Sequence, residues 1–272
     1  LNIEKSNITA KNQATNQATN QATNQATENS TNNQNGNGGN GGNIVLSSGN
    51  NAKLANANLN AEGATQIDAK NNLKLSDSNI KGFNIAMSSG NDTNIIGSNI
   101  NAEDLLYIKA GKDLNITTRQ ETATRTSQSV AKKSSQTTTT KTTTKTTTNS
   151  GFNSLSGGDI VLASGGNTNI IASNLKAENL LQIAAGGNLN IKNATNTKTT
   201  NTQTTTQTQE TFRIKKRRYG TRTITSNTSQ ANTKTTDIAS NLSGDNIILT
   251  SGKDLNIEKS NITAKNQATN QA

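Results

Sequence analysis

The sequence predicts an all-β protein, a right-handed parallel β-helix with coils of 20 to 21 residues. Three observations support this fold class. Small turns recur at a nearly constant spacing, aliphatic residues hold fixed positions relative to each turn, and aliphatic residues within one segment stand two positions apart. A spacing of two places side chains on one face of a strand, whereas a helix requires spacings of three and four.

A small turn marks each predicted coil. Its reference residue is Gly in most copies and Lys in one, and these residues are Gly49, Lys70, Gly90, Gly111, Gly165, Gly186 and Gly252. The first three spacings are 21, 20 and 21 residues, and Gly165 and Gly186 are again 21 apart. Such a period, with short strands between Gly and Asn turns, indicates stacked coils about 4.8 Å apart.

Four positions of each coil are predicted to point into the core. They lie five and three residues before the reference residue, and five and ten residues after it. In that order they are Ile44, Thr65, Ile85, Leu106, Ile160, Leu181 and Ile247; Leu46, Ile67, Met87, Ile108, Leu162, Ile183 and Leu249; Leu54, Leu75, Ile95, Ile116, Ile170, Ile191 and Ile257; and Leu59, Ile80, Ile100, Leu175 and Ile262. A narrow column of this kind needs few apolar residues, because neighbouring coils seal it.

Composition by itself favours a different class. Only 28% of the 272 residues are hydrophobic and 2% are aromatic, which is typical of a disordered chain. A disordered nucleic-acid-binding chain is therefore an alternative, but it does not explain the registered aliphatic residues. The chain has no Cys and no His, so we predict no disulfide, no metal site and no cofactor. No apolar run approaches the ~20 residues of a membrane span.

Asparagine occupies the position nine residues after the reference residue in five coils. These residues are Asn58, Asn79, Asn99, Asn174 and Asn261. Stacked in register, their amides could form a hydrogen-bonded ladder. Alternatively, Asn stands there because it tolerates a left-handed turn conformation.

Three insertions interrupt the repeat, at approximately residues 10–40, 119–156 and 193–241. The last two follow the strands that contain Ile116 and Ile191, and we expect the first to leave the coil at the same position, so that all three emerge from one side. The first insertion carries "NQATNQATNQATNQAT" followed by a "GNGGNGG" tail. The tail is similar to calcium-binding repeats but lacks their aspartates. The other two have Thr-rich arms around a basic centre. They are predicted to be extruded β-hairpins with tips near Lys132 and Lys133 and between Lys215 and Gly220, or else flexible loops.

The basic residues are concentrated in these two insertions. Residues 119–158 carry a net charge of +5 and residues 193–243 carry +6, against +10 for the whole chain. The strongest binding candidate is the segment "FRIKKRRYGTR", with Phe212, Arg213, Lys215, Lys216, Arg217, Arg218, Tyr219 and Arg222 as candidate contacts to a polyanion. The alternative is a solvated hairpin tip whose charges discourage aggregation through its edges.

Carboxylates offer no sign of an enzyme. Some parallel β-helices cleave acidic polysaccharides with clustered acidic and basic residues. Here the acidic residues of the coils are scattered over turns, as Glu62, Asp68, Asp77, Glu103 and Asp104. Solvated turn residues are the usual explanation of this pattern, so we predict that the protein is not an enzyme.

The first 18 residues, "LNIEKSNITAKNQATNQA", are repeated without change as Leu255–Ala272. Seven reference turns separate the two copies, so the period is a whole number of coils. We therefore interpret residues 1–272 as a single β-helix segment of a longer repeat array, and we expect the parent protein to continue beyond Ala272.

The units "GGDIVLASGGNTNIIASNLKAENLLQIAAGGNLNI" and "LLYIKAGKDLNI" resemble the haemagglutinin repeats of filamentous haemagglutinin and of contact-dependent growth inhibition exoproteins. The resemblance implies export by an outer-membrane two-partner secretion transporter of a Gram-negative bacterium. It further implies a structural stalk segment of a secreted, cell-surface adhesin or toxin-delivery exoprotein that meets a host or target-cell surface. The alternative function is a polyanion-binding module that uses the basic insertions to bind glycan, lipopolysaccharide or nucleic acid, although we expect no specific nucleic acid.

Overall fold

The computed structural model describes residues 1–11, 42–216 and 218–271, and for residues 267–271 it describes the backbone only. Every regular element in these ranges is a β-strand. The same ranges contain no helix long and apolar enough to cross a membrane. Two compact units are formed, one from Leu1–Arg119, Ser150–Ala194 and Ile238–Ala272, the other from Gln120–Asn149 and Thr195–Asp237.

The strands follow one another along the chain with short turns between them. The first thirteen are β1 (Asn2–Glu4), β2 (Asn7–Ala10), β3 (Ile44–Ser48), β4 (Ala52–Ala55), β5 (Asn58–Ala61), β6 (Thr65–Ala69), β7 (Leu73–Ser76), β8 (Asn79–Gly82), β9 (Ile85–Ser89), β10 (Thr93–Ile96), β11 (Asn99–Ala102), β12 (Leu105–Ala110) and β13 (Leu114–Thr117). The others are β14 (Arg119–Lys133), β15 (Gln136–Ser150), β16 (Ser154–Gly157), β17 (Asp159–Ser164), β18 (Thr168–Ile171), β19 (Asn174–Ala177), β20 (Leu180–Ala185), β21 (Leu189–Lys192), β22 (Ala194–Lys215), β23 (Arg218–Ile238), β24 (Asn241–Ser251), β25 (Leu255–Ile257) and β26 (Asn261–Gln271).

In the first unit each coil has three strands, one on each of three faces. Strands pair in parallel with the equivalent strands of the coils above and below, as Ile95 does with Leu75 and Ile116. The second strands form one sheet in the order β1-β4-β7-β10-β13-β18-β21-β25. The first and third strands join into a 14-stranded sheet, because β24 runs from the third face of one coil into the first face of the next. This arrangement confirms the predicted parallel β-helix.

The predicted core positions form one column of buried side chains. Ile170 and Leu175 have no exposed surface, and Thr65, the one polar residue predicted to be inside, is also fully buried. Three predicted positions are exceptions, since Leu46 and Ile262 are partly exposed and Ile257 is 42% exposed. These three lie in β3, β26 and β25, each of which pairs with a neighbouring coil on one side only among the described residues.

In the five coils from Lys70 to Gly186, a second buried pair lines the turn, one residue before and three residues after the reference residue. In two coils the pair is Ser89 with Thr93 and Ser164 with Thr168, and in each the two hydroxyls are hydrogen-bonded at 2.8 Å. The adjacent coils have Ala and Leu at the same positions. Polar and apolar pairs therefore alternate along these five coils, and each hydroxyl of the polar pairs finds its partner within its own coil.

Asparagine ladders connect the coils, although the longest is not where the sequence predicts one. At the predicted position Asn79 Nδ2 donates to Asn58 Oδ1 at 3.0 Å, and Asn261 Nδ2 donates to Asn241 Oδ1 at 2.8 Å. The longer ladder stands four residues after the reference residue. It joins Asn94, Asn115, Asn169, Asn190 and Asn256 through bonds of 2.8 to 3.1 Å.

Left-handed residues stand at a corner seven positions after the reference residue. Asn56, Asp77, Gly97 and Ala172 have φ between 45° and 61° there. The turn explanation for the Asn residues nine positions after the reference is therefore wrong, because those residues begin strands. The two Thr-rich insertions leave at this same corner, where β14 and β22 begin.

The NQAT segment lies outside the described residues, as does the "GNGGNGG" tail apart from Gly42. The described residues on either side of the segment show that its predicted exit position on the coil is wrong. It follows β2, a third strand, and precedes β3, a first strand, and a Cβ on Gly42 would come within 2.7 Å of the Ala10 carbonyl carbon. The described chain thus passes the earlier corner, where Lys5 is left-handed with φ 47°, and completes β2 before residue 12. The expectation that all three insertions leave at one position is wrong.

The second unit is a four-stranded antiparallel sheet in the order β14-β15-β22-β23. Each Thr-rich insertion is a β-hairpin, one turning at Ser134 and Ser135, the other between Lys215 and Arg218. The two hairpins are paired with each other from Gln136↔Thr208 to Thr147↔Thr197. Hairpins rather than loops are thus observed, and their union into one sheet was not predicted.

Candidate polyanion-binding site

The predicted site occupies the end of the second hairpin, where it extends past the first. Pairing between β15 and β22 ends at Gln136 and Thr208, and the Gln209 N–H donates to the Ser135 carbonyl at 2.8 Å. Beyond this point β22 and β23 have only each other as partners within the described sheet. We call the two-stranded segment from Glu210 to Arg222 the tip. It contains all of the candidate polyanion contacts.

Three cross-strand contacts define the register of the tip. Thr199 meets Thr233 at 3.2 Å, Thr205 meets Asn227 at 2.8 Å, and Glu210 meets Arg222. Continued in the same register, Phe212 lies opposite Gly220. A Cβ added to Gly220 would indeed be 2.9 Å from the Phe212 ring and 2.9 Å from Ile214 Cδ1.

The candidate residues do not form one patch, because neighbouring residues of a strand face opposite sides. Phe212 shares a face with Lys216, Arg218 and Arg222, and with the apolar side chain of Ile214. The other face carries Arg213, Lys215 and Tyr219. Arg217 lies outside the described residues. A ligand that reaches all of these charges must therefore wrap around the tip.

One of the candidate cations is already paired. Arg222 donates from Nε and Nη2 to the same oxygen of Glu210, at 2.9 and 2.7 Å. The pair is exposed, so it adds little stability, but it fixes the guanidinium in place and neutralises it. Arg213, Lys215, Lys216 and Arg218 are therefore better candidates for binding a polyanion than Arg222.

Large apolar side chains of the tip are exposed to an unusual degree. Phe212 is 47% exposed, Ile214 is 52% exposed and Tyr219 is 64% exposed, and nearby Ile224 is 42% exposed. Ile214 and Ile224 were not among the predicted contacts. Their signal in the sequence is the alternation of apolar and basic residues in "FRIKK", which puts Phe212 and Ile214 on one face.

The two units differ in net charge. The second unit has 13 Lys and Arg against 3 Asp and Glu, a net charge of +10, which equals the +10 of the whole chain. The first unit has 14 of each sign and is neutral. The net positive charge of the chain therefore belongs to the sheet and not to the β-helix.

A groove of about 430 Å³ lies on the third face of the first unit. Asn101, Glu103, Ser156, Lys176 and Glu178 are among the residues that line it. Ser156 Oγ donates to Asn101 Oδ1 at 2.9 Å. With two carboxylates against one Lys, the groove repels anions, and it does not compete with the tip as the candidate site.

The carboxylates named in the sequence remain separate in the structure. Asp77 accepts a hydrogen bond from Arg119 at 2.7 Å, and Asp68 accepts one from Ser88 Oγ at 2.6 Å. Across the described ranges, no three His, Cys, Asp or Glu residues are grouped so that they could hold a metal ion.

In two ion pairs of the first unit, Lys53 with Glu4 and Lys265 with Asp245, the pKa of one partner is shifted. A hydrogen bond from Lys53 lowers the pKa of the Glu4 carboxyl group below its usual value. A hydrogen bond to Asp245 raises the pKa of Lys265. Neither pair lies at the tip.

Comparison with known families gives one match, which spans the chain. The family described as hemagglutinin repeat matches residues 1–133 and again residues 130–272. No curated protein and no solved structure matches the sequence.

Proposed function

Because the chain belongs to the hemagglutinin-repeat family, we propose that it is a structural stalk segment of a secreted, cell-surface filamentous exoprotein. In such a protein the segment would carry an adhesive or toxin-delivering domain away from the bacterial surface. Export by two-partner secretion, through an outer-membrane transporter, is the route that the family implies. The stalk would extend toward the surface of a host or target cell.

The observation that carries the proposal is the relation between the two copies of "LNIEKSNITAKNQATNQA". β1 lies in the first copy and β25 in the second, and they are the two end strands of one continuous eight-stranded sheet. Equivalent residues of the two copies are therefore seven coils apart. A further copy would add complete coils and extend the core column without changing its pattern.

A tandem protein tests this proposal. Joining two 254-residue periods through their shared sequence should lengthen the particle by seven coils, or about 34 Å, and three periods by the same step again. The measurement is the maximum dimension from small-angle X-ray scattering. As a control, the same chain with ten residues deleted from the second period should lose the regular step, since half a coil puts aliphatic residues outside. Particles that become thicker rather than longer would contradict the proposal.

A second candidate function is polyanion binding by the tip. It is favoured by the placement of exposed cations beside exposed aromatic side chains, since charge attracts a polyanion and aromatic rings can stack on sugars or bases. Both faces of the tip carry cations, which suits a flexible chain such as a glycan better than a rigid surface.

Retention on immobilised heparin tests the second candidate. The tip variant replaces Arg213, Lys215, Lys216 and Arg218 by Gln. The matched control replaces Lys141, Lys145, Lys198 and Lys234 by Gln, which removes the same charge from the same sheet. We expect the tip variant to elute at a clearly lower salt concentration than the control. Equal loss in both variants would show attraction by net charge alone and would contradict a specific site.

A further inference from the structure

The two edges of the four-stranded sheet are protected to different degrees. β14 is one edge and β23 is the other. On β14 the longest uncharged stretch within the strand is the short run between Arg125 and Lys132. On β23 every residue from Thr223 to Thr233 is uncharged and exposed, and the chain contains no Pro. Charges and Pro are the devices that keep sheet edges from pairing, and this stretch of β23 has neither.

The sheet itself shows that such strands pair with each other. β15 and β22 come from different insertions, yet they are in register over twelve residue pairs. The paired residues are only Thr, Gln, Asn and Lys. The backbone ladder, with short polar side chains that tolerate one another, is therefore sufficient to join two strands of this composition. The free stretch of β23 has nearly the same composition, "TITSNTSQANT".

We propose that β23 pairs antiparallel with β23 of a second copy of the chain, joining two four-stranded sheets into one of eight strands. The partner is a second copy because the edge offers backbone groups and short polar side chains, the composition that already joins β15 to β22. Identical edges meet about a two-fold axis, which closes the assembly at two chains. Neighbouring molecules would thereby be joined through their four-stranded sheets. The inference does not depend on the stalk function.

Sedimentation of the intact chain tests this pairing. The test variant is Ser226→Lys, Thr228→Lys, Gln230→Lys, which adds three charges to the free edge. The matched control is Ser127→Lys, Ser129→Lys, Ala131→Lys on β14, which adds the same charges in the same rows and on the same face of the sheet. Both variants should keep the circular dichroism spectrum of the wild type, since all six positions are exposed.

We expect the wild type and the β14 variant to form dimers with similar affinity. The β23 variant should dimerise at least about tenfold more weakly, a change of 1.4 kcal/mol. Cysteine adds an independent readout, because the natural chain has none. Thr228→Cys should form a disulfide-linked dimer on oxidation, and Ser129→Cys should not. A monomeric wild type, or equal weakening by both Lys variants, would overturn the proposal.

Discussion

The Asp113 carboxylate accepts a hydrogen bond of 2.7 Å from the backbone N–H of Asn167, although 54 residues separate them. The contact belongs to a ladder in which each side chain two positions after the reference residue accepts from the backbone of the next coil. Its members are Asn51, Asn72, Asp92, Asp113, Asn167, Asn188 and Asp254, with bonds of 2.7 to 3.2 Å. The ladder continues across both Thr-rich insertions, so the coils on either side of each hairpin stack in the same register.

Replacing Asp113 by Ala should weaken this ladder. The Asn167 N–H would lose its acceptor, and we expect the free energy of unfolding to fall by about 1–2 kcal/mol. Asp113→Asn is the matched control, because an amide oxygen can still accept and Asn occupies the position in other coils; its effect should be within about 0.5 kcal/mol. Urea denaturation followed by circular dichroism measures both. Equal destabilisation by the two variants would show that charge, not the hydrogen bond, matters.

Shortening Ile170 should create a cavity in the core column. Ile170 has no exposed surface and lies between Ile116 and Ile191 of the neighbouring coils. Ile170→Ala should therefore cost about 2–5 kcal/mol of unfolding free energy. Val45→Ala, at a residue that is 40% exposed, should cost much less. Chemical denaturation of both variants is the measurement, and an unchanged Ile170→Ala protein would contradict the assigned core.

Reference glycines are required by contact between coils rather than by unusual φ angles. A Cβ on Gly165 would overlap the carbonyl oxygen of Gly111 in the preceding coil, whereas a Cβ on Gly49 would meet no atom within 4 Å. Gly165→Ala should destabilise the protein by about 1–3 kcal/mol, as overpacking does. Gly49→Ala should be neutral or slightly stabilising. Differential scanning calorimetry of the two Ala variants is the measurement. If contact between coils is the reason for Gly, only Gly165→Ala lowers the melting temperature. If the turn needs Gly in general, both variants lower it.

Removing the first hairpin should leave the β-helix folded. The buried aliphatic cluster contains no residue of the second unit among those described. Deletion of residues 120–149, which joins Arg119 to Ser150, should therefore change the unfolding free energy of the coils by less than about 1 kcal/mol. Limited proteolysis should yield the same resistant core as in the full chain. Loss of that core would show that the hairpin supports the coils.

The repeat and the core could be read from the sequence because both are local properties. A strand alternates its faces within a few residues, and coils of equal length place the same position of each repeat in the same place. Ile95, Ile170 and Leu175 could thus be assigned to the core from spacing alone. Ile257 lies in register with buried Ile191 and yet is 42% exposed, because burial also needs a coil on the other side and none follows among the described residues.

The candidate site was only partly predictable. Its basic and aromatic residues are adjacent in the chain, so "FRIKKRRYGTR" stood out. Two facts required the structure: Arg222 is neutralised by Glu210, and alternation distributes the remaining cations over both faces of the tip. Both depend on which residues of β22 and β23 lie opposite each other, and a low-complexity Thr-rich sequence does not specify that register.

The sequence by itself determined the coil, its period and its core, and it left the two Thr-rich insertions open between hairpins and flexible loops. Only the tertiary structure decided that the hairpins join, with Thr140 opposite Thr204, and that the NQAT segment leaves from a different corner. The physical reason is distance between elements far apart in the chain. β15 and β22 are separated in the chain by the six coil strands from β16 to β21, yet their backbones pair over twelve residue pairs. That pairing depends on residues of both insertions at once, and no pattern within either insertion contains it.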